Sequence, residues 1–358
     1  MADTRVVPIS DIKYGLKAET TFGTGLDVSG NDSTAYLTQP VVQAQKPTFN
    51  IFRESRLLSG RGSVKNAADT VVNTRGGTVT MPFEMLATPR TLAQHCLLVG
   101  QESGVSSGVH EMEIDGSSNS TSMGGSITSG IPHSCNLAYY PASGEGIKVA
   151  GVIVSDLNIS GDVAANNGLL SISGNYFSGF SNPVSTSTCL EQTFDGTWAA
   201  RESTYFNVMD ADTRTLDVDD NTTQTFIMKS FNFNIANGVN RVGFDTNGNA
   251  EAYVFPEYTI TGDMTVKWDD EFDYGAANNV IQDFLDGDTL SLAIKIGDGT
   301  VSSEGECNIA AEIQYTGDPA QDISESGVFH TFAFECVQNS STEAFKISTF
   351  KNEAVTAW

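Results

Sequence analysis

The sequence predicts a mainly β protein made of two tandem copies of one small domain, each a β-sandwich or barrel with one short flanking helix. Three observations predict it. Charged residues are only 18% of the chain while Gly alone numbers 34, which suits strands and turns better than long helices with charged wet faces. Apolar and polar residues alternate with period two in several segments. The succession of strand, polar loop, strand and short helix occurs twice.

The 358 residues leave room for two domains, and 20 Phe with 10 Tyr supply apolar surface to bury. Lys plus Arg is 19 against 44 Asp plus Glu, a formal charge of −25. No segment is basic, so tight binding of DNA, which needs cations to displace counterions from phosphate, is not expected. Acidity alone also keeps a protein soluble. Cys96, Cys135, Cys189, Cys307 and Cys336 are odd in number and lack CxxC spacing, so they predict neither a disulfide framework nor zinc. The N-terminal stretch has no signal-peptide core, and no apolar run approaches the ~18 residues of a membrane span. The expectation is a protein that folds in a reducing cytoplasm and has no membrane association.

Residues 1–45 read as a polar N-terminal arm. Thr48 to Ser55 reads as a strand, 59–76 as a Gly/Arg/Asn-rich loop, and Gly77 to Met85 as a strand with Val79, Met81, Phe83 and Met85 on one face. A punctuated helix follows: Thr88 suits the N-cap and Pro89 the first turn, Leu92, Cys96 and Val99 form an apolar stripe, and Gly100 stops it. Residues 101–131 are a Gly/Ser-rich insert. In the second half Phe231 to Ile235 reads as a strand and 237–256 as a polar loop. Tyr258 to Trp268 alternates with Ile260, Met264 and Val266 on the same side. A short helix around Ala277, Val280, Ile281, Phe284 and Leu285 is closed by Gly287.

Further on, Leu157 to Asp162 matches Ile313 to Asp318 in chemical type. The offsets are 184 for Ile51 to Ile235, 188 for Leu97 to Leu285, but 156 for Ser160 to Thr316. The first copy therefore has about 30 extra residues, the length of the insert. The boundaries that follow are an arm over 1–45, a first domain over 46–180, a connector over 181–223, a second domain over 224–340, and a last strand or arm over 341–358.

Few residues suggest chemistry. Gly104 to Gly108 matches GxSxG, but a nucleophile elbow needs an entering strand and a leaving helix, and the insert promises neither. His95, His110, His133 and His330 show no metal spacing and read as packed or surface residues. Asp245 to Glu251, and Asp210, Asp212, Asp217, Asp219 and Asp220, are oxygen-rich, yet neither group makes a calcium loop of about twelve residues ending in Glu. Asn247-Gly248 suits a hairpin turn, with a weak divalent site left open. The sequence predicts no catalytic residue, no cofactor and no metal site: a structural protein, not an enzyme.

In this order the chain resembles the tail tube proteins, or major tail proteins, of long-tailed siphovirus-like phages. The resemblance rests on Glu19 to Thr24, on Glu54-Ser55-Arg56-Leu57 before the Gly/Arg loop, on the Gly77-to-Met85 strand running into the Leu92-to-Gly100 helix, and on Glu257 to Gly262. It implies tail-tube-type β-sandwich domains whose sheets join around a ring, rings that stack into a tube, and DNA passing through the lumen without specific binding. It also implies that loops 59–76 and 237–256 reach a neighbouring ring; the insert over 101–131 has no counterpart in the resemblance, and the expectation for it is a decoration of the outside. Two domains per chain imply a trimer with pseudo-sixfold symmetry, or else a hexamer. The implied partners are further copies and the tape measure, terminator and baseplate proteins; the implied location is the virion tail, assembled in the host cytoplasm.

The strands suit a wet bore, since each has a polar face. Candidate lumen-facing residues are Thr78, Thr80 and Glu84; Asp156, Asn158 and Ser160; and Thr261 and Asp263, with Thr259 and Thr265 beside them. Rival readings are a secreted or cell-surface calcium-stabilised adhesin, a carbohydrate-active enzyme on a β scaffold, or another tube-fold virion part such as a hub or terminator ring.

Overall fold

The computed structural model describes residues 12–19, 22–23, 36–39, 41, 47–55, 70–106, 109–114, 133–141, 147–180, 194–195, 205–218, 222–246, 249–267, 280–297, 306–318, 320–324, 327–338 and 344–350. Among these the chain is mainly β, with two α-helices and a large, mostly antiparallel sheet system. The first-half strands are β1 (Ile12–Ala18), β2 (Tyr36–Thr38), β3 (Thr48–Ser55), β4 (Thr70–Leu86), β5 (Gln101–Ser106), β6 (Val109–Ile114), β7 (Cys135–Pro141), β8 (Ile147–Asp162) and β9 (Ser171–Ser178), with helix α1 (Pro89–Val99) after β4. Then come β10 (Phe194–Asp195), β11 (Ala211–Val218), β12 (Thr222–Thr225), β13 (Met228–Ala236), β14 (Asn240–Val242), β15 (Ala252–Val254) and β16 (Thr259–Lys267). Helix α2 (Val280–Asp286), β17 (Leu290–Ile296), β18 (Cys307–Tyr315), β19 (Ala320–Ser324), β20 (Gly327–Cys336) and β21 (Phe345–Phe350) follow.

Eight strands pair in the order β3–β4–β9–β8–β13–β16–β20–β19, each antiparallel to the next. Period-two alternation turns most apolar positions of this sheet to one side, while Ile153 and Phe177 on the other side join a small second cluster with Tyr253 and Phe255. Val79, Met81, Phe83 and Met85 are buried as their spacing predicts, and so are Ile260, Met264 and Val266. A second layer covers them. The Phe233 ring of β13 lies 5.4 Å from Phe334 in its own sheet and 5.3 Å from Phe345 of β21 in the facing layer. Burying one such side chain contributes about 2 kcal/mol.

The pairing order repeats. In the first half β3–β4–β9–β8 form one layer and β2–β1–β7–β8 the other. In the second half β13–β16–β20–β18 answer the first set and β12–β11–β17–β18 the other. β8 and β18 are the strands that serve both layers. β8 changes layer near Gly151, whose φ of 59° is open to glycine and strained for other residues.

Several expectations change. The presumed arm contributes β1 and β2, with Tyr14 and Leu16 in the core, and the presumed connector contributes β10, β11 and the start of β12. Residues 341–358 contribute a strand, β21. The insert is not simply decoration: its first part forms the hairpin β5–β6, β6 pairs with β21, and Met112 and Ile114 are buried. Residues 115–132 lie outside the described residues. The Ser160-to-Thr316 match is out of register. Ser160 lies opposite Ser171 and Ser324 opposite Gly327, so with β9 set on β20 the partner of Ser160 is Ser324, an offset of 164.

The two helices differ in burial. Helix α1 has the expected caps: the Thr88 hydroxyl accepts from the Thr91 N–H at 3.2 Å and the Gly100 N–H donates to the Cys96 carbonyl at 2.9 Å. It is not a flanking helix, however, because both its faces are buried, His95 included. Helix α2 ends at Gly287 as expected, with φ 71°, but Leu285 is 69% exposed.

His95 donates or accepts through both ring nitrogens, 2.6 Å from the Thr91 carbonyl and 2.6 Å from the Tyr176 hydroxyl. Burial pushes its pKa down from 6.5 to about 4. The folded state therefore holds His95 neutral while the unfolded state takes a proton, and stability present above pH 6.5 falls by roughly 3 kcal/mol as the pH drops to about 4. Glu19 has the opposite sign. Burial raises its carboxyl to about 7 against the lowering effect of hydrogen bonds from Gly151, Ser134 and Gly23, so its contribution is present below pH 4.5 and lost as the pH rises through 7. Melting temperature measured from pH 4 to 8 should lose its acid-side slope in His95→Gln and its slope between 4.5 and 7 in Glu19→Gln.

Candidate functional site

The face of the eight-stranded sheet opposite the core carries a regular polar pattern. One row across it reads Glu84, Ser173, Asn158, Asn234, Thr261, Glu335 and Gln314. The next reads Ser171, Ser160, Asn232, Asp263 and Ala333. Thr78, Thr80, Glu84, Asp156, Asn158, Ser160, Thr261 and Asp263 all stand on this face, brought together from three strands of both halves. Thr259 and Thr265 share it, though Thr265 is only 9% exposed.

These groups are paired with one another. Asn158 Nδ2 donates to Asn232 Oδ1 at 2.5 Å, and Asn232 Nδ2 donates to Asp263 at 3.4 Å, a relay across β8, β13 and β16. Asn175 Nδ2 lies 2.7 and 2.8 Å from the two oxygens of Asp156. The hydroxyls of Ser160 and Ser171 are 2.9 Å apart, and those of Thr265 and Thr331 are 3.0 Å apart. A shallow hollow of about 270 Å³ near the β8–β9 turn is lined by Ser160, Asp162, Ser171, Ser230, Asn232 and Asp263 among others. Such a surface is neutral to acidic, and along β8, β9, β13 and β16 several of its amides, hydroxyls and carboxylates are bonded to one another. Among the side chains described on it, two cations lie at one end: Lys267 closes β16, and Lys229 sits 4.8 Å over the Phe329 ring.

The sequence did not single out Ser171, Ser173 and Asn175 of β9, or Glu335 of β20. The signal was present, since Ser171-Ile172-Ser173 alternates and Glu335 follows Phe332 and Phe334 in step. Asn232 and Asn234 were visible in the Phe231-to-Ile235 alternation.

The other candidates lie elsewhere. Gly104 to Ser106 ends β5, so a strand does enter, but the described chain returns as β6 and not as a helix. Asp245 accepts the Asn249 N–H at 2.8 Å, the bond of a closed turn, with 247–248 outside the described residues. No group of three His, Cys, Asp or Glu among the described residues is placed to hold a metal ion.

The loop 237–256 does not project. Its β14–β15 hairpin folds onto the first half, where the Tyr253 hydroxyl donates to the Gly151 carbonyl at 2.6 Å and accepts the Gly179 N–H at 2.6 Å. Arg241 donates to the Gly77 carbonyl at 2.7 Å, and Phe22 packs on Tyr253 with ring centroids 4.7 Å apart. Of loop 59–76, residues 59–69 lie outside the described residues.

No known family profile matches the chain, and no curated protein does either.

Gly262, on the core side between Thr261 and Asp263, shows how closely the strands beneath this face are packed. A Cβ there would stand 2.4 Å from the Asn232 carbonyl oxygen and 2.6 Å from Phe334. Gly262→Ala should lower stability by about 1–3 kcal/mol in denaturant titration, because backbone and a buried ring would both have to shift.

Proposed function

We propose that the chain is a structural subunit of a phage tail tube, two copies of one tube domain in tandem, whose rings stack into a channel for DNA. The observation that supports it best is the sheet spanning both halves with one face buried and the other largely polar over β8, β13 and β16. β8 joins β13 edge to edge over seven residue pairs, Asp162 with Ser230 through Asp156 with Ala236. A second chain added in the same way would extend both faces, and a closed succession would enclose a bore lined by the candidate residues. Closure into a ring also removes the open strand edges that a lone chain exposes.

The chemistry of the wall suits passage without capture. Duplex DNA has about one negative charge per ~1.7 Å, so a basic wall would bind it. Neutral amides and hydroxyls, some of them bonded to one another, hold phosphate less strongly than cations would, and scattered carboxylates repel it weakly over the ~8 Å screening length at physiological salt. We place three chains in a ring, giving pseudo-sixfold symmetry.

Negative-stain electron microscopy of the purified full chain should show hollow rings or stacked tubes; a stable monomer at high concentration would overturn the proposal. Tubes built from the Asp156→Lys, Asp263→Lys variant should still assemble but retain DNA in a filter-binding assay at physiological salt. Equal retention by both tubes would remove these residues from the bore.

A further inference from the structure

We infer that β19 of one chain pairs antiparallel with β3 of a second copy, with Phe49 opposite Ile323, in the register that β8 and β13 already adopt inside the chain. The inference rests on the ring reading and names the partner surface for it. Among the described residues β3 pairs only with β4 and β19 only with β20, so these are the two open edges of the eight-stranded sheet.

The sequence match of Ile51 with Ile235, an offset of 184, sets β3 on β13 with Phe49 at the place of Phe233, and strand pairing carries the correspondence on: Thr48 opposes Thr80 as Asn232 opposes Asp263. Ile159 opposes Ile172 and Ile323 opposes Val328, which sets β19 on the second half of β8 with Ile323 at the place of Ile159. Inside the chain Phe233 lies directly opposite Ile159. The same residue types, Phe and Ile, therefore stand at both ends of the unmade joint as in the made one.

Exposure agrees. Ile159 is 0% exposed beneath its joint, whereas Ile323, on the same core-side phase of its strand, is 74% exposed, the highest value among the exposed large apolar residues. A β-branched apolar residue on an open edge is an aggregation hazard unless something covers it. A second copy of this chain supplies a cover of matching hydrogen-bond pattern and shape. In this register Asn50 falls opposite Asp322 and Thr48 opposite Ser324, so the polar rows continue across the joint.

The test uses the full chain with Cys189 and Cys336 changed to Ser. Phe49→Cys, Ile323→Cys should form disulfide-linked multimers on mild oxidation, ending at three chains on a non-reducing denaturing gel. Phe49→Cys, Gln321→Cys, two residues out of register, should remain monomeric on the same gel. Rings in the microscope without the in-register cross-link would overturn this joint and leave the ring reading standing. The cross-link without rings would keep the joint and overturn the ring; neither rings nor cross-link would overturn both. Ile323→Asp, at an exposed position, should leave the monomer's melting temperature unchanged and shift its sedimentation from assemblies to single chains; assemblies that survive it would count against the joint.

Discussion

The structure depends on the register of the seam between β8 and β13. Side chains alternate with period two, so a slip of one residue would turn Leu157 and Ile159, or Phe231, Phe233 and Ile235, out into water. The seam is therefore held less by its own hydrogen bonds, each worth about 1 kcal/mol net, than by the apolar rows beneath it. Polar contacts at its end pin it further. The Val99 carbonyl, left without a helical partner at the end of α1, accepts from Asn237 Nδ2 at 3.3 Å and from the Tyr258 hydroxyl at 2.9 Å. Asn237 Nδ2 also reaches the Val154 carbonyl at 2.7 Å. The end of a first-half helix is thus completed by second-half residues, and the two halves share one core.

What the sequence disclosed was what short-range chemistry decides. Thr88, Pro89 and Gly100 bound α1 because capping is settled within one turn, and the alternating strands from Gly77 and Tyr258 were legible because burial repeats every second residue. What it concealed were partners far along the chain. β1 has Tyr14 and Leu16 in alternation, but only pairing with β7 shows that it is a strand of the core and not an arm. The insert hid β5 and β6 because β6 finds β21, more than two hundred residues away. The likeness of Leu157–Asp162 to Ile313–Asp318 was a likeness of composition. β18 and β19 are separated at Gly317-Asp318-Pro319, residue types that announce a break but not how far it shifts the register, and with β9 set on β20 strand pairing replaces the offset of 156 with 164. The polar face was legible on β4, β8 and β16, whose faces differ sharply, and less so on β9, where Gly174 leaves a gap in the apolar row.

The chemistry of that face is a consequence of the seam. Small amides and hydroxyls fill positions where strands run side by side, and at that spacing each can satisfy its neighbour, as Asn158, Asn232 and Asp263 do. Long cationic side chains would reach beyond the surface to whatever lies above it. Lys229 and Lys267, the cations among the side chains described there, are gathered at one end, and Lys229 is laid over an aromatic ring. With a chain charge of −25, the surface is kept neutral to acidic by local pairing as well as by composition.

On the proposed reading, the chain also explains why its ring would be threefold and not sixfold. A head-to-tail contact closes when the rotation between neighbours divides the circle, and otherwise grows as an open helix. Here half of the contacts are made covalently, since the step from the first half to the second is built into one polypeptide. The two kinds of step are not identical, however. The β6–β21 pairing, reinforced by Lys346 and Glu111 at 3.3 Å, ties the halves of one chain together. The described second half has no counterpart of the β5–β6 hairpin between its helix and β17, so the joint between chains would have the strand seam alone. Successive joints would then alternate between a strong one within chains and a weaker one between them. Assembly can consequently be reversible without unfolding the subunit, and Ile323 is placed where the weaker joint has most to gain.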